Sequence, residues 1–502
     1  TKGCVLKTIV LGPPGTGKTH TLLNKVDDYL KETDPDKVGY FAFTKKAANE
    51  AKERAIDKFN FTEDDLPYFR TLHSLAFRRL GINKENVMQR RHYEDLGKKI
   101  NIQIDYNDWD EEETGLFTTK SDYLRIIHLA KLRNITLDQQ FNLKEHNQKL
   151  EYTKLKIIGN ELERYKKEYG LIDYNDMILD FVKSDKSPKF DVVFIDEAQD
   201  LSRMQWDMVD SFNTNDSFIA GDDDQAIFRW AGADVDSFIT QTGKILNLTQ
   251  SVRIPKKIHE YAMKIIERVS HRLPKNWQPK AHEGSITKHW NFEDINMKDG
   301  NWLVLTRTRH QLKPIEDILK EKGLYFENRF GKSYEKQIQE AAANWEHLRQ
   351  GQLMHGKDIE KIALYMSSTN WDKKKLKALV KDSFYGLDVL HRDYGLKTKK
   401  TWYECFDNAG SQRVTYIRKM RANGESLKEG ARIKLSTIHS VKGGEEDNVV
   451  ILPDLTHSTQ LAYERNRDDE NRLFYVGATR TKEHLHIVRP KDENKSFPMG
   501  DV

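Results

Sequence analysis

The chain has 502 residues, too many for one hydrophobic core, so three or four domains are expected. Its 82 Lys and Arg stand against 78 Asp and Glu, and the net charge of +4 excludes a globally basic nucleic-acid coat, so any basic surface has to be local. Cys4 and Cys405, the only cysteines, argue against a disulfide scaffold or a thiolate metal site, and no run nears the ~18 apolar residues of a membrane helix or resembles a secretory leader; a soluble, non-exported, cytoplasmic protein is expected.

Strand and helix signals alternate from the start: Thr8 to Leu11 as a strand, Lys18 to Lys31 as a helix, Val38 to Phe43 as a strand, Lys45 to Phe59 as a helix. Such alternation predicts a parallel α/β sheet. From about 74 to 172 the strand signals stop, with charged stretches such as Trp109-Asp110-Glu111-Glu112-Glu113, and a helical insertion is expected. Strands resume at Val192 to Ile195, Ser217 to Ala220, Lys244 to Leu248 and Trp302 to Thr306, with a helix at Leu312 to Lys322. A second helical, Lys- and aromatic-rich insertion follows at about 331 to 430, then strands at Arg432 to Ser436, Asn448 to Leu452 and Leu485 to Val488, and a frayed polar tail over the last dozen residues. The expected division is 1–73 plus 173–250, interrupted by 74–172, and 251–330 plus 431–502, interrupted by 331–430.

Two stretches carry the phosphate chemistry. Gly12-Pro13-Pro14-Gly15-Thr16-Gly17-Lys18-Thr19 follows an apolar strand and opens a helix, the pattern in which backbone N–H groups cradle phosphates, Lys18 reaches the outer phosphates and Thr19 ligates Mg2+. His20 directly after it is grouped with the nucleotide-binding residues. Val192-Val193-Phe194-Ile195-Asp196-Glu197 is a strand ending in two carboxylates, of which Asp196 suits the metal and Glu197 the attacking water. A glycine-rich turn or an acidic strand end is ordinary by itself; the conjunction reads as a nucleotide triphosphatase.

Further stretches, in order, resemble the superfamily 1 helicases of the UvrD, Rep and PcrA group: Phe41-Ala42-Phe43-Thr44-Lys45-Lys46-Ala47-Ala48, Thr71-Leu72-His73-Ser74, Leu171-Ile172-Asp173-Tyr174-Asn175-Asp176, Gly221-Asp222-Asp223-Asp224-Gln225 with Trp230-Ala231-Gly232-Ala233, Gln250-Ser251-Val252-Arg253, Thr437-Ile438-His439-Ser440-Val441-Lys442-Gly443 and Tyr475-Val476-Gly477-Ala478-Thr479-Arg480. The resemblance implies two RecA-like parallel-sheet P-loop domains, each with an inserted mainly helical subdomain. Gln225 would hold the attacking water or read the γ-phosphate. Arg253 and Arg480, both expected in the second α/β domain, would reach the nucleotide only when the domains close, as arginine fingers; Arg307 is a third candidate. Phe43, Thr44, His73, Trp230 and His439 fall at positions resembling single-strand contacts, with core packing the competing reading for Phe43.

The function implied is an ATP- and Mg2+-dependent motor on single-stranded DNA, moving 3′ to 5′ and unwinding tailed duplexes, with accessory replication or repair proteins as possible partners. The alternatives are a protein-displacing translocase, an RNA-directed helicase, or a P-loop switch acting on a protein. Base recognition departs from the family. No Gln occurs among the eleven residues before Gly12, and Val252 stands where relatives commonly place a base-stacking Tyr. Weak discrimination between nucleotides is the consequence expected. Ala231, Gly444 and Glu446 also differ from the family pattern.

Overall fold

A computed structural model describes residues 6–102, 119, 121–146, 149–427 and 429–500; Cys4 and the acidic stretch Trp109 to Glu113 lie outside them. The chain divides into two units, Thr1–Glu283 with Ala462–Thr479, and Gly284–Leu461 with Arg480–Val502.

In the first unit, β1 (Leu6–Leu11) carries the run Ile9-Val10-Leu11 into a core where each of the three is at most 4 % exposed. It joins β2 (Val38–Phe41), β3 (Phe69–Arg70), β4 (Lys189–Ile195), β5 (Asn213–Gly221) and β6 (Lys244–Asn247) in a six-stranded sheet of order β3-β2-β4-β5-β1-β6, in which every pairing is parallel. Strands buried on both faces read as unbroken apolar runs, and β4 does so from Val192 to Ile195. The order sets β4, β5 and β1 side by side, so the carboxyl ends of the acidic strand, of the strand before Asp222 and of the strand before the glycine-rich loop meet at one edge.

The helices begin and end where their caps dictate. Helix α1 (Lys18–Leu30) starts at Gly17 with no side-chain cap, which leaves its first N–H groups facing outward. Helix α2 (Lys45–Phe59) is capped by Thr44, whose Oγ1 accepts from the Ala47 N–H at 3.2 Å, and stops at Asn60 in the left-handed region (φ 56°). Between β3 and β4 the described elements are helices, including Arg90–Lys99, Asp122–Leu132 and Tyr152–Tyr169, which pack around Tyr93, Leu124, Ile126, Leu155 and Leu162.

The second unit has a seven-stranded sheet. Its strands are β7 (Ser285–His289), β8 (Trp302–Thr306), β9 (Phe326–Asn328), β10 (Gly331–Lys332), β13 (Ile433–Thr437), β14 (Glu446–Ile451) and β15 (Thr481–Val488), in the order β10-β9-β13-β8-β14-β15-β7. All pairings are parallel except the β9–β10 hairpin. A ribbon of β11 (Met354–His355) and β12 (Phe384–Tyr385) interrupts the helical stretch expected over 331–430.

Three expectations are corrected. Residues 251–283 and 462–479 pack with the first unit, not the second; helix Arg467–Ala478 lies against helix Lys256–Ile266, and Trp277 meets Tyr475 edge to face at 5.9 Å. Arg253 therefore belongs to the first unit. The tail is not frayed through residue 500: Phe497 and Met499 are buried, and the Phe497 N–H donates to the Pro453 carbonyl at 2.9 Å. The apolar residues in a polar sequence context decide it.

Candidate nucleotide and nucleic-acid sites

The loop after β1 is shaped by its glycines. Gly15 and Gly17 sit at φ 75° and 81°, a region costly to side chains, and a Cβ on Gly12 would fall 2.3 Å from Lys18 Cγ. Lys18 curls over the loop and donates from Nζ to the Gly12 carbonyl at 2.8 Å. The uncapped amides of α1 and the Lys18 ammonium thus converge on one concave turn, the arrangement that suits a polyphosphate. Pro13, Pro14 and Thr16 complete the turn, with Thr16 Oγ1 donating to the Pro13 carbonyl at 2.8 Å; His20 is exposed on the first turn of α1.

At the end of β4, Asp196 is 2 % exposed and fully hydrogen-bonded. Its Oδ2 accepts from Thr19 Oγ1 at 2.9 Å and from the Tyr40 hydroxyl at 3.0 Å, and its Oδ1 from the Glu197 N–H at 2.9 Å. Burial, and then the charge of Glu197, push the Asp196 carboxyl up to about 6, against the pull of those hydroxyls and of Lys18. The Tyr40 phenol is pushed far above its usual range by burial and by Asp196, so it stays a donor. Thr19 and Asp196 offer hydroxyl and carboxylate oxygens at one point beside the loop, a donor set that fits a hard divalent cation such as Mg2+.

Glu197 holds a left-handed backbone (φ 54°, ψ 42°), uncommon for a residue with a side chain and a marker of strain at working positions. Its Oε2 accepts from Gln199 Nε2 at 2.5 Å. Gln199 Oε1 takes the N–H of Asp222 at 3.0 Å, and Asp222 Oδ2 accepts from Gln225 Nε2 at 2.8 Å. A continuous polar chain therefore links Glu197 to Gln225 across the ends of β4 and β5.

Arg253 lies beside the same loop. The Val252 N–H donates to the Gly15 carbonyl at 2.9 Å and Ser251 Oγ to the Pro14 carbonyl at 3.0 Å, while a Cβ on Gly15 would fall 2.7 Å from Arg253 Cβ. No unit closure is needed to bring Arg253 near the loop, contrary to the expectation from its motif order. Arg480 is in the second unit, 2 % exposed, and its carbonyl accepts the Glu446 N–H at 3.1 Å. Arg307, after β8, is in the second unit as well.

The expected nucleic-acid residues divide likewise. Phe43 and Thr44 follow β2 and His73 sits in the helix after β3, all in the first unit. Phe43 is half-buried and stacked on Phe228 at 5.8 Å, so packing accounts for one of its faces. Thr44 already serves as a helix cap, and His73 meets Tyr174 edge-on at 5.9 Å; desolvation pushes its ring down to about 4. Trp230 stands out at 46 % exposed. His439, after β13 in the second unit, is pushed down to about 3 by burial and then by Arg307.

Sequence reading missed two groups of supporting residues. Tyr40 looked like one more apolar strand residue. Lys275, its side chain 3 % exposed, lies 3.0, 2.6 and 2.7 Å from the carboxylates of Asp222, Asp223 and Asp224, and Arg272 grips Asp224 through Nε at 2.8 Å and Nη2 at 2.5 Å. Three consecutive Asp after a buried strand were the available signal, since buried carboxylates demand cations.

Residues 5–245 match the model of the UvrD/REP helicase N-terminal domain, and residues 433–488 that of the UvrD-like helicase C-terminal domain. Among curated proteins, the chain is 24 % identical over 357 residues to the ATP-dependent DNA helicase PcrA of Bacillus subtilis, covering 63 % of this chain and 48 % of that protein. It is 24 % identical over 318 residues to a probable DNA helicase II homolog of Mycoplasma capricolum (58 % and 42 %), and over 335 residues to PcrA of Staphylococcus aureus (60 % and 43 %). The chain thus spans under half the length of these relatives. Two RecA-like α/β folds, the matched domain models at either end and the relatives named together place the chain in the UvrD/Rep/PcrA-like helicase family.

Proposed function

We propose that the protein is an ATP-driven DNA helicase that moves 3′ to 5′ along single-stranded DNA and separates duplex ahead of it. The observation that carries this reading is the gathering of Lys18, Thr19, Asp196, Glu197 and Gln225 at one edge of a parallel sheet, in a chain whose second α/β unit holds Arg480. Lys18 and the amides of α1 hold the β- and γ-phosphates. Glu197 takes the proton of the attacking water and Gln225 orients that water. Thr19 and Asp196 hold Mg2+, which when bound neutralises charge on the phosphate oxygens. Arg253, beside the loop, and Arg480 are the cations that stabilise charge on the transferred phosphoryl group.

Phe43, Thr44, His73 and Trp230 in the first unit, and His439 in the second, are the strand contacts. Aromatic stacking tolerates any base sequence, which a translocating motor needs. The helical insertions 74–172 and 331–430 are accessory subdomains of the two motor domains. A reducing, intracellular setting agrees with Cys405, a buried free thiol pushed up to about 12 by desolvation. Among the described residues no helix is long and apolar enough to cross a membrane.

Strand displacement on 3′-tailed, 5′-tailed and blunt duplexes tests the reading: only the 3′-tailed substrate is expected to open, and an ATPase rate indifferent to added oligonucleotide would favour a protein-directed switch. Nucleotide choice is the finer part of the proposal. Val252 is 80 % exposed beside the loop and offers an isopropyl group where an aromatic would stack. Discrimination among the four triphosphates is therefore weak, and a hundredfold kcat/KM preference for ATP would contradict this.

A further inference from the structure

We propose that Tyr40 is a positioning residue for the metal-binding carboxylate, holding Asp196 in its working rotamer when Thr19 turns to the cation; the inference rests on the nucleotide-site reading above. Asp196 Oδ2 has two hydroxyl donors, Thr19 at 2.9 Å and Tyr40 at 3.0 Å, on opposite sides of the problem. Thr19 belongs to the first turn of α1 and is itself a metal ligand in this scheme, so its hydrogen bond to Asp196 is the one that metal binding competes with. Tyr40 has no such second duty.

Its immobility follows from where it sits. Tyr40 is wholly buried in the middle of β2, registered opposite Phe194 of β4, and its ring stacks on Phe69 at 5.8 Å with the planes 17° apart. A phenol held by strand pairing and stacking can present its O–H to one point only. With the Glu197 N–H on Oδ1 at 2.9 Å, it fixes both oxygens of Asp196 without help from Thr19. The surroundings also give the hydroxyl a reason to exist, since a phenylalanine would satisfy the packing of a strand this apolar equally well.

The test is Tyr40→Phe, isosteric except for the hydroxyl. Binding of a fluorescent ADP analogue is titrated with Mg2+, and Mn2+ binding in the presence of ADP is followed by electron paramagnetic resonance, neither of which requires turnover. A hydrogen bond to a buried charge is worth ~1.5–3 kcal/mol, so the cation concentration for half-saturation is expected to rise by at least about tenfold, with nucleotide affinity in EDTA unchanged. As a packing control, Phe69→Leu loosens the stack and keeps the hydroxyl. It should lower thermal stability while moving the metal requirement less than threefold. Equal Mg2+ dependence in wild type and Tyr40→Phe overturns the inference and leaves the nucleotide site standing. If the wild-type protein binds nucleotide with no Mg2+ dependence, the site reading itself has failed, and this inference with it.

Discussion

The Val252 amide donates to the carbonyl of Gly15 at 2.9 Å, joining the segment that carries Arg253 to the phosphate loop inside one unit. The two arginines that motif order treats alike therefore have different mechanical situations. Arg253 lies beside the loop, whereas Arg480 follows helix Arg467–Ala478 and opens the last segment of the second unit.

That difference predicts separable defects. Arg253→Ala should weaken binding of a fluorescent ADP or ATP analogue as well as turnover. Arg480→Ala should bind nucleotide within a few-fold of wild type yet lose ~3–5 decades of single-turnover hydrolysis, the range for arginine fingers. Identical binding losses in both variants would remove the distinction.

Lys18 and Glu197 should part company in the same assays. Lys18→Ala removes the ammonium from the phosphate loop and should abolish both tight binding and hydrolysis. Glu197→Gln keeps the shape of the Gln199 contact and the strained backbone, so binding should survive while turnover stops. Retained turnover in Glu197→Gln would exclude this residue as the base.

Lys275 offers a stability test. Replacing it with Met leaves three adjacent carboxylates, each at most 1 % exposed, with Arg272 as the remaining described ion-pair partner. Removing one partner from a buried charge cluster typically costs ~3–5 kcal/mol, so urea unfolding followed by tryptophan fluorescence should show a midpoint well below wild type. A change under about 1 kcal/mol would mean that the aspartates are neutralised some other way.

Trp230→Ala should weaken single-stranded DNA binding by the ~1–3 kcal/mol of a lost base stack, measured by fluorescence anisotropy, and leave DNA-free hydrolysis near wild type. Its 46 % exposure is the reason to expect a contact and little loss of core.

Acid should destabilise the first unit through His128. This ring is 3 % exposed, hydrogen-bonded with Asn175 at 2.7 Å, and pushed down to about 3 by burial. Its folded value lies below the unfolded value of about 6.5, so the unfolded chain binds the extra proton. Stability is fully present above about pH 6.5 and falls by ~1.4 kcal/mol per pH unit below it. Denaturation midpoints at several pH values should show a shallower acid slope in His128→Phe than in wild type; an unchanged slope would clear His128 of the effect.

The sequence by itself determined the local pieces. The Lys45 to Phe59 helix, the Trp302 to Thr306 strand and the Leu312 to Lys322 helix have their expected limits, and the turn of Gly12 to Thr19 needs its glycines for reasons of backbone geometry that hold in any fold. Short-range physics decides these features, and short-range physics is written in neighbouring residues. Pairing partners were another matter. The two-residue strands Phe69–Arg70 and Gly331–Lys332 carry too little pattern to be seen, and they exist because a neighbouring strand completes their hydrogen bonds.

Tertiary structure alone decided which supports the chemistry received. Tyr40 meets Asp196 from 156 positions away, and Lys275 lies about 50 positions beyond the three aspartates it neutralises. Arg253 was misplaced for the same reason: a motif fixes what a residue can do, but the unit it packs with is settled by long-range burial, as when helix Arg467–Ala478 returns to helix Lys256–Ile266. A carboxylate, a lysine or a phenol announces its chemistry in the sequence, while the partner that makes burying it tolerable is chosen by the fold.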